Sequence, residues 1–222
     1  MKKVLVAGLG VVALLLLVLV WRVPVDLEQP AGEQLLPWQI VVHPDGTNEV
    51  FGVRLGHATV AEAEAILGKR ARLALFQDED TLALEVYYGE VTLSGLSGQV
   101  MGHIDLPQDE LQALHERAGQ WRPTGGGGRR MPLSEADDNA QRARAVLASL
   151  AYVSYAKLEP ALLLRRFGEP EERVRLDAER EHWLYPDKGL DILTQARGRE
   201  VLQYVPPRDF DRLRTPLSVT QE

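Results

Sequence analysis

The sequence predicts an α+β protein: an N-terminal transmembrane helix followed by two tandem modules of short helices packed on antiparallel sheets. Three observations predict it. A long uncharged run opens the chain, a helix-like stretch stops at glycine in each half, and each of those stretches is followed by short apolar runs separated by turn residues.

Lys2 and Lys3 precede an uncharged run from Val4 to Trp21, which ends at Arg22. As a helix rising ~1.5 Å per residue the run reaches about 27 Å, close to the ~30 Å hydrocarbon thickness of a bilayer. It leaves through Val20, Trp21, Arg22, Val23 and Pro24, without the small residues that a signal peptidase needs. Residues 1–22 are therefore expected to remain as a single-pass anchor in the bacterial inner membrane, with the C-terminal part periplasmic. Trp21 suits the headgroup level, and the two lysines favour a cytoplasmic N-terminus. Residues 23–37, which carry Pro24, Pro30, Gly32 and Pro37, read as a tether.

The chain has 222 residues and no cysteine, so it offers no disulfide framework, thiolate zinc site or lipid-acceptor cysteine. Beyond residue 22 there remain 22 basic and 32 acidic residues, a net charge of about −10. That balance disfavours nucleic acid and anionic lipid headgroups as partners of the exported part.

A first module is expected over 38–122, opening on a strand pair, Trp38 to Val42 and Glu49 to Val53, around the turn Pro44-Asp45-Gly46. Thr59 caps a helix carrying Val60, Ala63, Ile66 and Leu67, which stops at Gly68. Strand-like runs follow at Ala71 to Phe76, Leu82 to Tyr88, Val91 to Leu93 and Gln99 to Leu106, then a helix from Asp109 to Ala118. Residues 123–133, with glycine at 125 to 128 and then Arg129 and Arg130, read as a glycine-rich linker open to proteolysis. No Gly-Lys-Ser/Thr follows, so this is not a phosphate loop.

The second module, 134–222, is expected to begin with a helix from Ser134 to Leu150 burying Ala136, Ala140, Ala143, Leu147 and Leu150. A second glycine-terminated helix then starts at Pro160 and carries Leu162, Leu163 and Phe167 to Gly168. Strands follow at Arg173 to Leu176, His182 to Tyr185, Leu190 to Thr194 and Glu200 to Val205, with a turn at Pro186 to Gly189.

The element Arg166-Phe167-Gly168-Glu169-Pro170, followed by His182-Trp183-Leu184-Tyr185 and Val201-Leu202-Gln203-Tyr204, resembles the repeat shared by the BamE (SmpA/OmlA) lipoproteins and the β-lactamase-inhibitor-protein-like fold. The first half resembles it through Leu55-Gly56, Thr59 and Leu67-Gly68, with Lys69-Arg70 in place of the proline and Val86-Tyr87-Tyr88 in place of Trp-x-Tyr. The chain departs from the lipoproteins in lacking a lipid-acceptor cysteine. The resemblance implies protein binding.

No catalytic constellation emerges. His43, His57, His103, His115 and His182 stand at no metal-ligand spacing, and Asp78-Glu79-Asp80 reads as a solvated turn. Ser94-Gly95-Leu96-Ser97-Gly98 lacks the last glycine of a nucleophile elbow and reads as a hairpin or bulge. The strand aromatics Tyr87, Tyr88, Trp183, Tyr185, Tyr204 and Phe210 divide between two faces. Alternation sets Leu82, Leu84 and Val86 against Ala83, Glu85 and Tyr87, leaving one more polar face for a protein partner. Tyr88 and Tyr185, which hold similar places in the two halves, are the candidate binding anchors. The expected function is a non-catalytic, membrane-anchored periplasmic binding or scaffold protein without a cofactor or metal, meeting an unidentified envelope protein. The alternative is a secreted soluble inhibitor, or an exported enzyme with a site between the two modules.

Overall fold

Two antiparallel sheets and five helices make up the described residues of the computed structural model, which are 35–78, 81–123 and 129–219. The expected anchor and most of the expected tether, residues 1–34, lie outside them. No helix among the described residues is long and apolar enough to cross a membrane.

A small sheet comes first, from β1 (Ile40–Val42), β2 (Asn48–Val50) and β3 (Val53–Arg54), followed by helix α1 (Val60–Leu67). Then come β4 (Arg72–Asp78), β5 (Thr81–Leu93), β6 (Leu96–Ile104), α2 (Gln108–Arg117), β7 (Arg122–Pro123) and β8 (Arg129–Pro132). The remainder is α3 (Glu135–Arg144), β9 (Leu147–Ser154), α4 (Pro160–Phe167), β10 (Glu172–Arg175), β11 (Arg180–Tyr185), β12 (Leu190–Gln195), β13 (Val201–Tyr204) and α5 (Asp211–Val219). The large sheet has ten strands in the order β10-β11-β12-β13-β9-β6-β5-β4-β8-β7.

Local chemistry accounts for the element ends. The Thr59 hydroxyl accepts from the Glu62 amide while the Glu62 carboxylate accepts from the Thr59 amide, a reciprocal capping box that stabilises α1 by about 1 kcal/mol. Gly68 closes the helix in the left-handed conformation at φ 63°. Ser94 and Gly95, at φ 48° and 83°, form the two-residue turn between β5 and β6, as the hairpin reading expects. Phe51 also adopts positive φ, at 54°, although glycine would do so at less cost. Its ring is held between Tyr152 and Tyr204, with centroids 5.4 and 5.9 Å away, so packing imposes the strained turn.

The expected helix from Ser134 to Leu150 is corrected by the structure. It ends at Arg144, and Leu147 to Ser154 is strand β9. Ala136, Ala140 and Ala143 are exposed, while Gln141 and Arg142 are buried. Arg142 pairs with Glu64 of α1, with Asp138 at 2.7 Å and with the Ala71 carbonyl at 3.2 Å; Gln141 donates to Glu110 of α2 at 2.9 Å. Polar contacts across three segments therefore dock α3, which helical periodicity in one segment does not report.

The expected pair of separately compact modules is also corrected. Strand β9 pairs with β6 from Gly98↔Ser154 to Ile104↔Leu147, so the two halves share one sheet and one core. A side chain at Gly98 would come within 2.6 Å of the Val153 carbonyl, and one at Gly102 within 2.7 Å of the Ser149 carbonyl. Both glycines let β9 lie close, and the Tyr152 ring occupies the space over Gly98 while its hydroxyl donates to the Ser97 carbonyl at 3.1 Å. Part of the expected linker is strand as well: Arg129–Pro132 pairs with β4 from Gln77↔Arg129 to Ala74↔Pro132. The tether, too, ends within the fold, because buried Pro37 offers its carbonyl to the Tyr204 hydroxyl at 2.9 Å.

The sheet has an inner and an outer face. Leu75, Leu84, Val86, Val100, Tyr152, Leu202 and Ile192 point inward and join Val60, Ala63, Leu111, Leu163 and Phe167 of the helices in the main core. A bulge between Tyr87 and Gly89 resets the alternation of β5, so Tyr88 points inward before it and Val91 and Leu93 do so after it. On the outer face, Val174 and Leu184 are covered by Phe210 with Leu213 and Leu217 of α5.

Candidate functional site

Neither of the tyrosines singled out from the sequence is available as a binding anchor. Tyr88 is 4 % and Tyr185 is 3 % exposed, and both belong to the main core. The Tyr185 hydroxyl donates to the Gly168 carbonyl at 3.0 Å, and its ring lies 5.9 Å from that of Phe167. Burial pushes this phenol up to about 12. The Tyr88 hydroxyl is buried and has no hydrogen-bond partner among the described residues, and its phenol is raised further by desolvation. Unbroken alternation from Leu84 and Val86 carries Tyr88 to the inner face, which is the reason for the first correction; the glycine-terminated helix packed over β11 is the reason for the second.

The polar face expected from the alternation in β5 does exist, and it carries the half-buried aromatics Tyr87 and Phe76. Register places Arg72 opposite Tyr87, Tyr87 opposite Met101, Ala74 opposite both Glu85 and Pro132, Phe76 opposite Arg130, and Arg130 opposite Arg122. These side chains line an open cavity of about 590 Å³ on the outer face. Its floor is Ala74, Phe76, Tyr87 and Met101, and three guanidinium groups stand around it. Arg72 lies over the Tyr87 ring, 5.0 Å from its centroid. Among the described residues no carboxylate comes within ion-pair distance of Arg72, Arg122 or Arg130, although Arg70, Arg142 and Arg144 elsewhere are paired. Among the described residues Glu85 is the single acidic side chain lining the cavity, and burial raises its carboxyl above the ordinary glutamate range. Its cross-strand neighbour on the same face is His103, which burial lowers.

A second polar cluster lies on the outer face of the other half. His182, 6 % exposed, faces Asp191, 1 % exposed, with Nδ1 donating to Oδ2 at 2.7 Å. Gln203 donates to the same oxygen at 3.2 Å. Burial raises the Asp191 carboxyl, with the His182 hydrogen bond opposing that rise. A histidine oriented by a carboxylate resembles the base half of a nucleophilic triad, but the neighbours of His182 on this face, Val174, Leu184 and Leu193, carry no hydroxyl. The cluster cross-links β11, β12 and β13. Among the described residues, no three histidine or carboxylate side chains gather as metal ligands.

Sequence reasoning missed the arginine cavity because its residues come from five strands. The local signal was present: Arg130 and Pro132 flank the inward Met131, an alternation that the linker reading passed over.

No protein-family model, no curated protein and no solved structure matches this chain.

Proposed function

We propose that this protein is a membrane-anchored, periplasmic binding or scaffold component of the bacterial envelope, acting without catalysis, and that the open outer face around Tyr87 and Met101 meets its protein partner. One observation carries the reading: an apolar floor left open beneath three arginines that have no carboxylate partner among the described residues. Exposed Arg, Tyr, Phe and Met are the side chains enriched at protein interfaces, and a water-accessible apolar floor is stabilised when a partner covers it. The uncharged run from Val4 to Trp21 supports the anchor, and the resemblance to BamE-like and β-lactamase-inhibitor-protein-like repeats supports binding over chemistry.

A photoreactive amino acid at Met101, in the full chain expressed in cells, tests the reading. A discrete protein adduct is expected there and none from the same group at Ala136, which is exposed on α3. Absence of a protein adduct at Met101 would overturn it. Intact mass of the native protein tests the anchor separately, where a mature N-terminus between Arg22 and Gln34 would show cleavage.

A further inference from the structure

We infer that the outer-face cavity recognises an extended acidic segment of the partner, with two carboxylates four residues apart and an apolar side chain midway between them. The inference rests on the binding reading above and assigns it a ligand chemistry.

Register sets the arginines at two levels of the outer face. Arg72 stands at one end of β4, while Arg130 lies on β8 opposite Phe76 and is itself opposite Arg122. Residue 72 is thus separated from the level of Arg122 and Arg130 by four strand positions, about 13 Å at ~3.3 Å per residue, and by one strand spacing from Arg130 and two from Arg122. Positive charge therefore sits at both ends, beside Tyr87 at one and Phe76 at the other, with Ala74, Glu85 and Pro132 between.

A ligand with one charged head and an apolar tail satisfies only one end and lays its tail against the other guanidinium. An extended polypeptide satisfies both. Its side chains at positions i, i+2 and i+4 share one face over about 13 Å, which matches the spacing of the cations. Guanidinium groups bind carboxylates through paired N–H donors, and the stacking of Arg72 on Tyr87 presets one of them. Glu85 selects the middle position. It lies on the floor opposite Ala74, between the cationic ends, and disfavours a third carboxylate there. The exported part carries a net charge of about −10, so an acidic segment gains from this cavity what most of the remaining surface opposes.

The test uses the full chain in nanodiscs of phosphatidylcholine and a fluorescein-labelled heptapeptide with glutamate at positions two and six, leucine at four and serine elsewhere. Fluorescence anisotropy should show binding that is about tenfold weaker for the glutamine counterpart and absent for the lysine counterpart. Arg72→Ala and Arg130→Ala should each weaken binding about fivefold or more, with the thermal transition unchanged because both side chains are exposed. Arg197→Ala, on an exposed turn beside Glu179, should bind as the parent does. Three results would overturn the inference: equal binding of the glutamine peptide, no binding of the glutamate peptide up to about 1 mM, or full binding by the Arg72→Ala/Arg130→Ala double variant. A protein adduct at Met101 together with any of these leaves the binding reading standing and removes only the acidic-segment assignment.

Discussion

The outer face of the large sheet is built alike at its two ends and finished differently. Toward β10 and β11, Val174 and Leu184 are sealed by Phe210, Leu213 and Leu217, and the polar groups beside them, His182, Asp191 and Gln203, satisfy one another. Toward β4 and β5, Phe76 and Tyr87 stay half-exposed beneath Arg72, Arg122 and Arg130, which find no carboxylate among the described residues. Strand alternation makes both ends amphipathic, but alternation does not decide whether the second face becomes core. A segment distant in sequence decides that, and among the described residues only the C-terminal half receives one.

Substitutions that shorten an apolar side chain at each end should separate the two most. Leu184→Ala, at a fully buried position, is expected to cost about 2–5 kcal/mol in urea unfolding, whereas Phe76→Ala should cost less than half as much despite removing a larger group. Similar losses would mean that the β4 end is covered as well. The seam that joins the ends comes next. Gly98→Ala sets a methyl group against the Val153 carbonyl and the Tyr152 ring, for an expected loss of about 1–3 kcal/mol; an unchanged stability would show that β6 and β9 are not closely paired.

The two tyrosines give a smaller contrast of opposite sign. Tyr185→Phe should cost about 1 kcal/mol through the lost hydrogen bond to Gly168, while Tyr88→Phe should be neutral or stabilising, because its hydroxyl has no partner to lose among the described residues. Equal losses at both sites in chemical denaturation would contradict the burial described for Tyr88.

The smallest effect is a pH dependence at Glu85. Its folded carboxyl is raised by burial, so the stability it contributes is present below the unfolded glutamate range and is lost as pH rises through the folded value. Glu85→Gln should therefore match the parent in acid and exceed it slightly at neutral pH. A gain in acid and none at neutral pH would reverse the assigned sign.

Much of this fold was legible because its causes are local. The capping box at Thr59 and Glu62, the left-handed Gly68, Pro160 in the first turn of α4 and the Ser94-Gly95 turn each involve a few adjacent residues, and the strands between them show period two. Helix α3 was legible at its start, where the Ser134 side chain accepts from the Asp137 amide, and misread at its end. Ala145 and Val146 carry no helix-breaking residue type, and β9 is a strand because β6 and β13 flank it with hydrogen bonds.

The sequence by itself determined the α+β class, the glycine-ended helices, the strand-and-turn succession and the more polar face that carries Glu85 and Tyr87. Each follows from side-chain size, backbone freedom or hydrogen bonding within a few residues. Tertiary structure alone decided that the halves merge along β6 and β9, that Tyr88 and Tyr185 are core, and that Arg72, Arg122 and Arg130 stand around one floor. Those outcomes depend on which strands become neighbours and which segment covers a face, and the lowest free energy of the whole chain selects among pairings that short-range pattern leaves equivalent.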